Sequence, residues 1–459
     1  MKIKHLIAFA LLFAGCLSGC GNSYKRDALV FYVWGDSSEI SWYEKIADDF
    51  KKESGISVKV QPCTANYYEN LNIMFSSQKS APDVFFTEAG QIPAHIASKK
   101  ILNLQPYIDD KALNVKTSAN PEGDIELWSV NDAYRYDGNE IGQGDYYAII
   151  KDWSPDFILW YNKNHIDQYN TSNGYVLGDA NYMNYPSREI PMTWEEFLDM
   201  SFKLTIEEGG TIKRFGTMLD RVPYKHLMEF IQMTGSSTWT DDNKYFNNND
   251  PNVKKAFEFF TELQIGEKRS APKIGPGIDS GEAFANGNIS FAFFGNWAYS
   301  SYGWDSIGFE FDCCPAPIPS KGRTLVKNDT YAGSCGMISL AVYNNSTMKD
   351  EAIAFLDYYM KEGNEYMARK GYNIPGNKIV ANSEVYQSSE DLKLADINLF
   401  FLEIAQNYTH PIVYNKYIDQ LTFEGICSKY ISNYLDNPTG DTIQGVMNKI
   451  AEDLKRNLE

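Results

Sequence analysis

The residues best equipped for chemistry in this chain are aromatic rings and carboxylates at the ends of apolar runs. One run, Ala28 to Trp34, leads through Gly35 to Asp36; another, Val84-Phe85-Phe86, leads to Thr87-Glu88. An indole can cover the apolar face of a polyhydroxylated ligand while carboxylates, amides and backbone groups take its hydroxyls. Catalytic signals are thinner. Ala332-Gly333-Ser334-Cys335-Gly336 approaches the Gly-x-Ser-x-Gly nucleophile turn. That turn needs a strand before the serine and a helix after it, whereas here a strand-like run, Met337 to Val342, follows. The 60 acidic residues could supply a glycosidase pair, but no acidic motif specifies one. His95, His165, His226 and His410 are far apart, and no His-Glu-x-x-His, phosphate loop or EF-hand loop occurs. His226 and Glu229 share a helical face, where a structural role is expected. Tyr67-Tyr68 and Tyr358-Tyr359 raise a phenolate metal site, yet oxygen and imidazole ligands are not clustered around them. No cofactor or metal is expected.

The elements that must position these residues alternate between strands and helices. After the first strand, Trp42, Ile46 and Phe50 fall at i, i+4 and i+8 on one helical face, and Gly55 closes that helix. Ser57 to Gln61 reads as a strand, Tyr67 to Ser77 as a helix and Val84 to Phe86 as a strand. This order predicts a parallel sheet flanked by helices, with ligand at the carboxyl ends of its strands. Tyr146 to Ile150 and Phe157 to Tyr161 read as strands on either side of Asp152-Trp153-Ser154-Pro155-Asp156, a polar interruption suited to an interdomain crossing. Thr193 and Glu196 have capping-box spacing, and Asp250-Pro251 opens another helix with Val253, Ala256, Phe257 and Phe260 inward. No repeat or low-complexity tract interrupts the α/β pattern.

Lys2 and Lys4, the apolar run Leu6 to Ala14 and Leu17-Ser18-Gly19-Cys20 form a secretory leader. The run is too short for a bilayer, which needs about 20 residues. Leu-Ser-Gly-Cys resembles the bacterial lipobox, which implies cleavage after residue 19 and lipidation of Cys20. Residues 20–27 then form a short polar tether. A net charge of −18 argues against nucleic acid and anionic lipid headgroups as targets. Aromatics are 14% of the chain, with 31 tyrosines, a composition compatible with a carbohydrate binder. Beyond Cys16 and Cys20, five cysteines remain without any Cys-x-x-Cys spacing. Cys313 and Cys314 leave two readings, a strained vicinal disulfide or buried thiols, and the second is expected.

Several short segments, in order, resemble the family-1 extracellular solute-binding proteins, the maltose-binding-protein-like group. They are Ala28 to Trp34 with its helix, Trp160-Tyr-Asn-Lys-Asn164, Thr193-Trp-Glu-Glu-Phe197 and Glu282 to Asn288 continuing to Gly295-Asn-Trp297. Tyr331-Ala-Gly-Ser-Cys-Gly336, the helix Lys349 to Met360 and Gly371-Tyr-Asn-Ile-Pro375 complete the series. The acid-rich segment Pro121 to Asp145, longer than usual, and the aromatic-rich C-terminal third depart from the pattern.

The resemblance implies an α/β, two-lobe, periplasmic-binding-protein-like fold of type II, with hinge-linked lobes closing on a ligand cleft. It places residues 28–153 and 330–372 in an N-terminal lobe and 154–329 and 373–459 in a C-terminal lobe. The implied ligand contacts are Trp34, Asp36, Glu88, Asp156, Asn296, Trp297, Tyr331, Gly333 and Ser334. Core packing is the competing reading for each tryptophan; Trp42 is expected in the core, and Trp239 and Trp304 are lesser candidates. The implied function is non-enzymatic: a monomeric lipoprotein on the extracellular face of the cell membrane binds a carbohydrate, an oligosaccharide, and delivers it to ABC permease subunits. A secreted glycoside-active enzyme is the alternative, and a receptor for a non-sugar solute or metal the third reading.

Overall fold

The computed structural model describes residues 26–219, 223–274, 279–319, 335–409, 415 and 417–458. The leader and Cys20 lie outside them. Among the described residues no helix is long and apolar enough to cross a membrane.

Apolar runs flanked by polar turns set the strands. In chain order they begin with β1 (Leu29–Val33), β2 (Val58–Pro62), β3 (Val84–Thr87), β4 (Arg135–Tyr136), β5 (Asp145–Tyr146), β6 (Ile149–Pro155) and β7 (Ile158–Asn162). They continue with β8 (Ile206–Glu208), β9 (Thr211–Thr217), β10 (Ile289–Phe294), β11 (Phe311–Pro315), β12 (Cys335–Val342) and β13 (Ile374–Pro375). Two large sheets result. The first runs β13-β6-β12-β3-β1-β2 and the second β11-β7-β10-β9-β8, while β4 and β5 form a small ribbon.

In the first sheet β1 pairs in parallel with both β2 and β3 (Leu29 opposite Val58, Phe31 opposite Val84), as strand–helix–strand units require. The helix Ser37–Ser54 that links β1 to β2 starts at a complete capping box. Asp36 accepts from the Ser38 and Glu39 amides, and the Glu39 carboxylate accepts from the Asp36 amide. It ends where Gly55 takes a left-handed φ of 76°. The capping box at Thr193–Glu196 and the Asp250-Pro251 start form as the spacing predicts.

The chain passes between sheets more than once. β6 belongs to the first sheet and β7 to the second, so the first passage falls at Asp156-Phe157. The return lies between β11 and β12, and a last passage follows β13. The helices Gln420–Asp436 and Ile443–Arg456 pack Phe423, Cys427, Val446 and Ile450 into the second sheet's core. One core lies under the first sheet around Phe31, Phe86 and Phe355. Another spans both lobes, joining Phe85 and Trp153 to Trp160, Trp304 and the helix Leu392–Asn407.

One expectation needs correction. The polar stretch Asp152 to Pro155 does not interrupt a strand; it is the second half of β6, and every residue of β6 is buried. Lys151 and Asp152 pair with each other inside, and the Lys151 ammonium lies over the rings of Tyr43 and Phe86 at 5.4 and 4.9 Å. Partnered charges let the strand continue through the interior. The first sheet therefore runs to Pro155 and includes Ile374–Pro375, because β13 pairs with Trp153 and Asp152. Cys313 and Cys314 are free and buried; strand alternation turns Cys314 toward the second lobe's core and Cys313 toward the shared core.

Candidate ligand cleft

The carboxyl ends of β1 and β3, the first passage and the turn after β10 meet around a cavity of about 660 Å³. Of the expected contacts, Trp34, Asp36, Glu88, Asp156 and Trp297 all line it. The first lobe supplies one wall. Trp34 is held edge-on by Tyr67 (ring centroids 4.5 Å apart) and Phe86 (5.2 Å). Tyr67 is itself pinned: its hydroxyl lies 3.0 Å from the Tyr32 and Phe86 carbonyls and accepts from the Phe86 amide at 2.9 Å. Tyr68 donates to Glu88 at 2.9 Å, and burial, then the Glu88 charge, pushes its phenol far above the ordinary range. It therefore stays a neutral donor.

Glu39 forms part of the floor. Burial raises its carboxyl, while hydrogen bonds from Tyr372 and the Asp36 amide, with the Lys151 charge, pull the other way. Cys63 lines the same wall; burial would raise its thiol, but hydrogen bonds with Tyr32, Asn70 and the Ala65 backbone bring it below the ordinary value.

The second wall centres on Asp156. Its carboxylate accepts from the Trp297 indole N–H at 3.0 Å and from Lys225 at 3.1 Å. Two glycines leave it room: a Cβ on Gly336 would overlap the Asp156 carboxylate, and one on Gly295 would overlap Ser154 and crowd Asp156 and Trp297. Trp297 opens the short helix Trp297–Ser301, half-buried against Phe294 at 5.3 Å. From the helix Gln420–Asp436, Glu424 faces the Glu88 charge; burial chiefly raises its carboxyl, which Gln420 steadies at 2.7 Å. The arrangement offers an indole from each lobe, with carboxylates and phenols between.

Asn296 does not reach the cavity. It is fully buried, its amide group donates to the Tyr386 hydroxyl at 3.1 Å, and its backbone N–H donates to Ser154 at 3.2 Å. The turn aims Trp297 outward and Asn296 inward, so Asn296 fixes the turn that presents the ring. Tyr331, Gly333 and Ser334 lie outside the described residues. Trp239 and Trp304 are buried in cores, and Trp42 is half-buried beside Tyr372. His226 is buried between Phe157 and Phe293, and among the described residues no group of three or more His, Cys, Asp or Glu could hold a metal ion. Residues not anticipated are Glu39, Cys63, Tyr302, Tyr372, Asn373 and Lys225, together with Tyr67 and Tyr68 in the role of cleft wall. The Tyr67-Tyr68 pair opening the helix after β2 was a usable signal; Lys225 had none, because its partner lies 69 positions away.

The model of the bacterial extracellular solute-binding protein family matches residues 45–393, well over half the chain. The chain belongs to that family. No curated protein matches this solute-binding protein by sequence. Solved structures match its fold over nearly its whole length. An ABC substrate-binding protein from Listeria monocytogenes, in complex with cycloalternan, has TM-score 0.73 at 17% identity, covering 94% of this chain and 99% of that one. An ABC transporter solute-binding protein from Thermotoga lettingae bound with alpha-D-tagatose has TM-score 0.72 at 18% identity, covering 95% and 100%. The Thermus thermophilus maltotriose-binding protein has TM-score 0.66 at 16% identity, covering 94% and 100%. The fold of this solute-binding protein is thus the two-lobe fold of periplasmic binding proteins.

Proposed function

We propose that this solute-binding protein is a carbohydrate receptor of an ABC importer, taking an oligosaccharide between its lobes without altering it. The observation that carries the reading is the pair of indoles, Trp34 and Trp297, brought from opposite lobes to one cavity that carboxylates and phenols also line. Rings can cover the C–H faces of a pyranose, while Asp36, Glu88 and Asp156 accept hydrogen bonds from its hydroxyls. The solved relatives in complex with cycloalternan, tagatose and maltotriose support the same ligand class. Ligand contact with both walls would favour the closed arrangement and shift the hinge equilibrium toward it.

In this reading the lobes are residues 28–155 with 335–375, and 157–319 with the C-terminal helices. The lipobox-like Cys20 anchors a monomeric receptor on the extracellular face of the membrane, where it delivers solute to permease subunits. A thermal-shift screen of the protein lacking its leader tests the ligand class. A saccharide at 100 times its Kd should stabilise the fold by about 2.7 kcal/mol. Stabilisation by amino acids, peptides or metal ions with none by any saccharide would refute the reading, and so would hydrolysis of the bound glycoside. Lipidation is tested separately: Cys20→Ala should release the protein from membranes into the medium.

A further inference from the structure

The sequence carries an extended segment, Pro121 to Asp145, that the cleft leaves unused. It wraps a second and larger cavity, about 1160 Å³, beside the first. Consecutive residues Glu88 and Ala89 line one cavity each, and so do Asp156 and Trp153 at the carboxyl end of β6. Like the cleft, the chamber draws on both lobes: Trp128, Tyr146 and Trp153 from the first, Asn243 and Asn415 from the second.

The chamber's polar character differs from that of the cleft. Its charged groups are largely spent on one another: Glu126 pairs with Lys116 at 2.9 Å and with Lys378 at 3.5 Å. Asn382, Gln406, Asn407 and Thr409 add neutral polar groups to its wall, each already donating one hydrogen bond within the chain. Trp153, 1% exposed and packed edge-on against Trp128 at 5.2 Å, carries an indole N–H with no hydrogen-bond partner among the described residues. A buried donor without a partner is costly, and a ligand hydroxyl reaching it would recover that cost. Indole walls, an unpartnered donor and neutral amides suit hydroxyls and pyranose faces better than ions. In size, the cleft alone falls within the range of about 300–1,000 Å³ usual for one small ligand, and the chamber exceeds it.

We propose that the chamber is a second binding compartment, occupied by the continuation of a long, neutral oligosaccharide whose first units sit between Trp34 and Trp297. This rests on the carbohydrate reading and adds a length requirement to it. Affinity should depend on reach: a mono- or disaccharide fills the cleft, and further units pass Glu88-Ala89 into the space walled by Trp128, Tyr146 and Trp153.

The test is calorimetric titration of the full protein lacking only its leader. The probes are α-1,4-glucan, β-1,4-glucan, β-1,4-xylan and β-1,4-mannan oligomers of two to seven units. For the series that binds, Kd should fall at least tenfold from the dimer to the hexamer. Gln406→Trp, which fills the chamber from an exposed helix position, should remove that gain and leave the dimer's Kd within twofold. Tyr146→Ala should weaken the hexamer selectively, and Trp297→Ala should weaken every length. Equal affinity for dimer and hexamer, or a length gain that survives both chamber variants, overturns the proposal while the carbohydrate reading stands. Failure of every series to bind the unmodified protein overturns the proposal, and the thermal-shift screen then decides the carbohydrate reading.

Discussion

The two walls of the cleft are built differently. On the first wall the polar groups are tied to the backbone or to a neighbour within the wall. Asp36 caps the helix Ser37–Ser54, Tyr67 bonds main-chain groups of β1 and β3, and Tyr68 holds Glu88. On the second wall Asp156 accepts from the side chains of Trp297 and Lys225, and two glycines keep the space that Asp156 occupies. A wall tied to secondary structure is a preformed platform. A wall of side-chain bonds can exchange them for ligand hydroxyls as the lobes close. On the proposed carbohydrate reading, the difference puts stability in the first wall and ligand discrimination in the second.

The largest contrast that could break this comparison lies between two tryptophans. Trp160→Ala, a fully buried core deletion, should cost about 3–5 kcal/mol of stability, read from denaturant unfolding. Trp297→Ala should cost about 2–4 kcal/mol of saccharide binding with a much smaller loss of stability, read by calorimetry and melting. A Trp297 variant that binds normally would remove the second wall from the account.

Acid should loosen the second wall. His226, directly behind the passage at Asp156-Phe157, is held down to about 3 by burial and, secondarily, by Lys225. Its unfolded value is near 6.5, so between these limits the unfolded chain binds the extra proton. Stability from this group is complete above about pH 6.5 and declines as pH falls, by about 1.4 kcal/mol per unit at most. His226→Phe should flatten the stability profile between pH 6.5 and 5 relative to the parent; an unchanged slope would contradict the assignment.

Gly336→Ala drives a methyl group into the space of the Asp156 carboxylate and should weaken ligand about tenfold, or about 1.4 kcal/mol, while the fold persists by circular dichroism. The smallest effect belongs to the first wall. Asp36→Ala removes the cap of the helix Ser37–Ser54 and should lower stability by about 1 kcal/mol, with Asp36→Asn retaining most of it.

Much of the first wall could be read along the chain. Apolar runs ending in Trp34-Gly35-Asp36 and Thr87-Glu88, alternating with helices, place those residues at strand ends by topology alone. Trp297 was legible through its Gly-Asn-Trp turn. Its neighbour Asn296 was misassigned because one turn sends adjacent side chains opposite ways, and its partner Tyr386 lies ninety positions on. The course of β6 was obscured for a related reason: Asp152 to Asp156 reads as a polar interruption until Asp152 is seen to have Lys151 as its partner in the interior. Nothing local marks Lys225 or Glu424, whose relation to the cleft arises only when the lobes assemble.

A crystal structure of the protein with a saccharide that stabilises it tests the central claim most directly. The account predicts a pyranose ring lying against the Trp297 indole, with its hydroxyls on Asp36, Glu88 or Asp156 and Trp34 closing the opposite side. A saccharide bound elsewhere, with only solvent between Trp34 and Trp297, would contradict it.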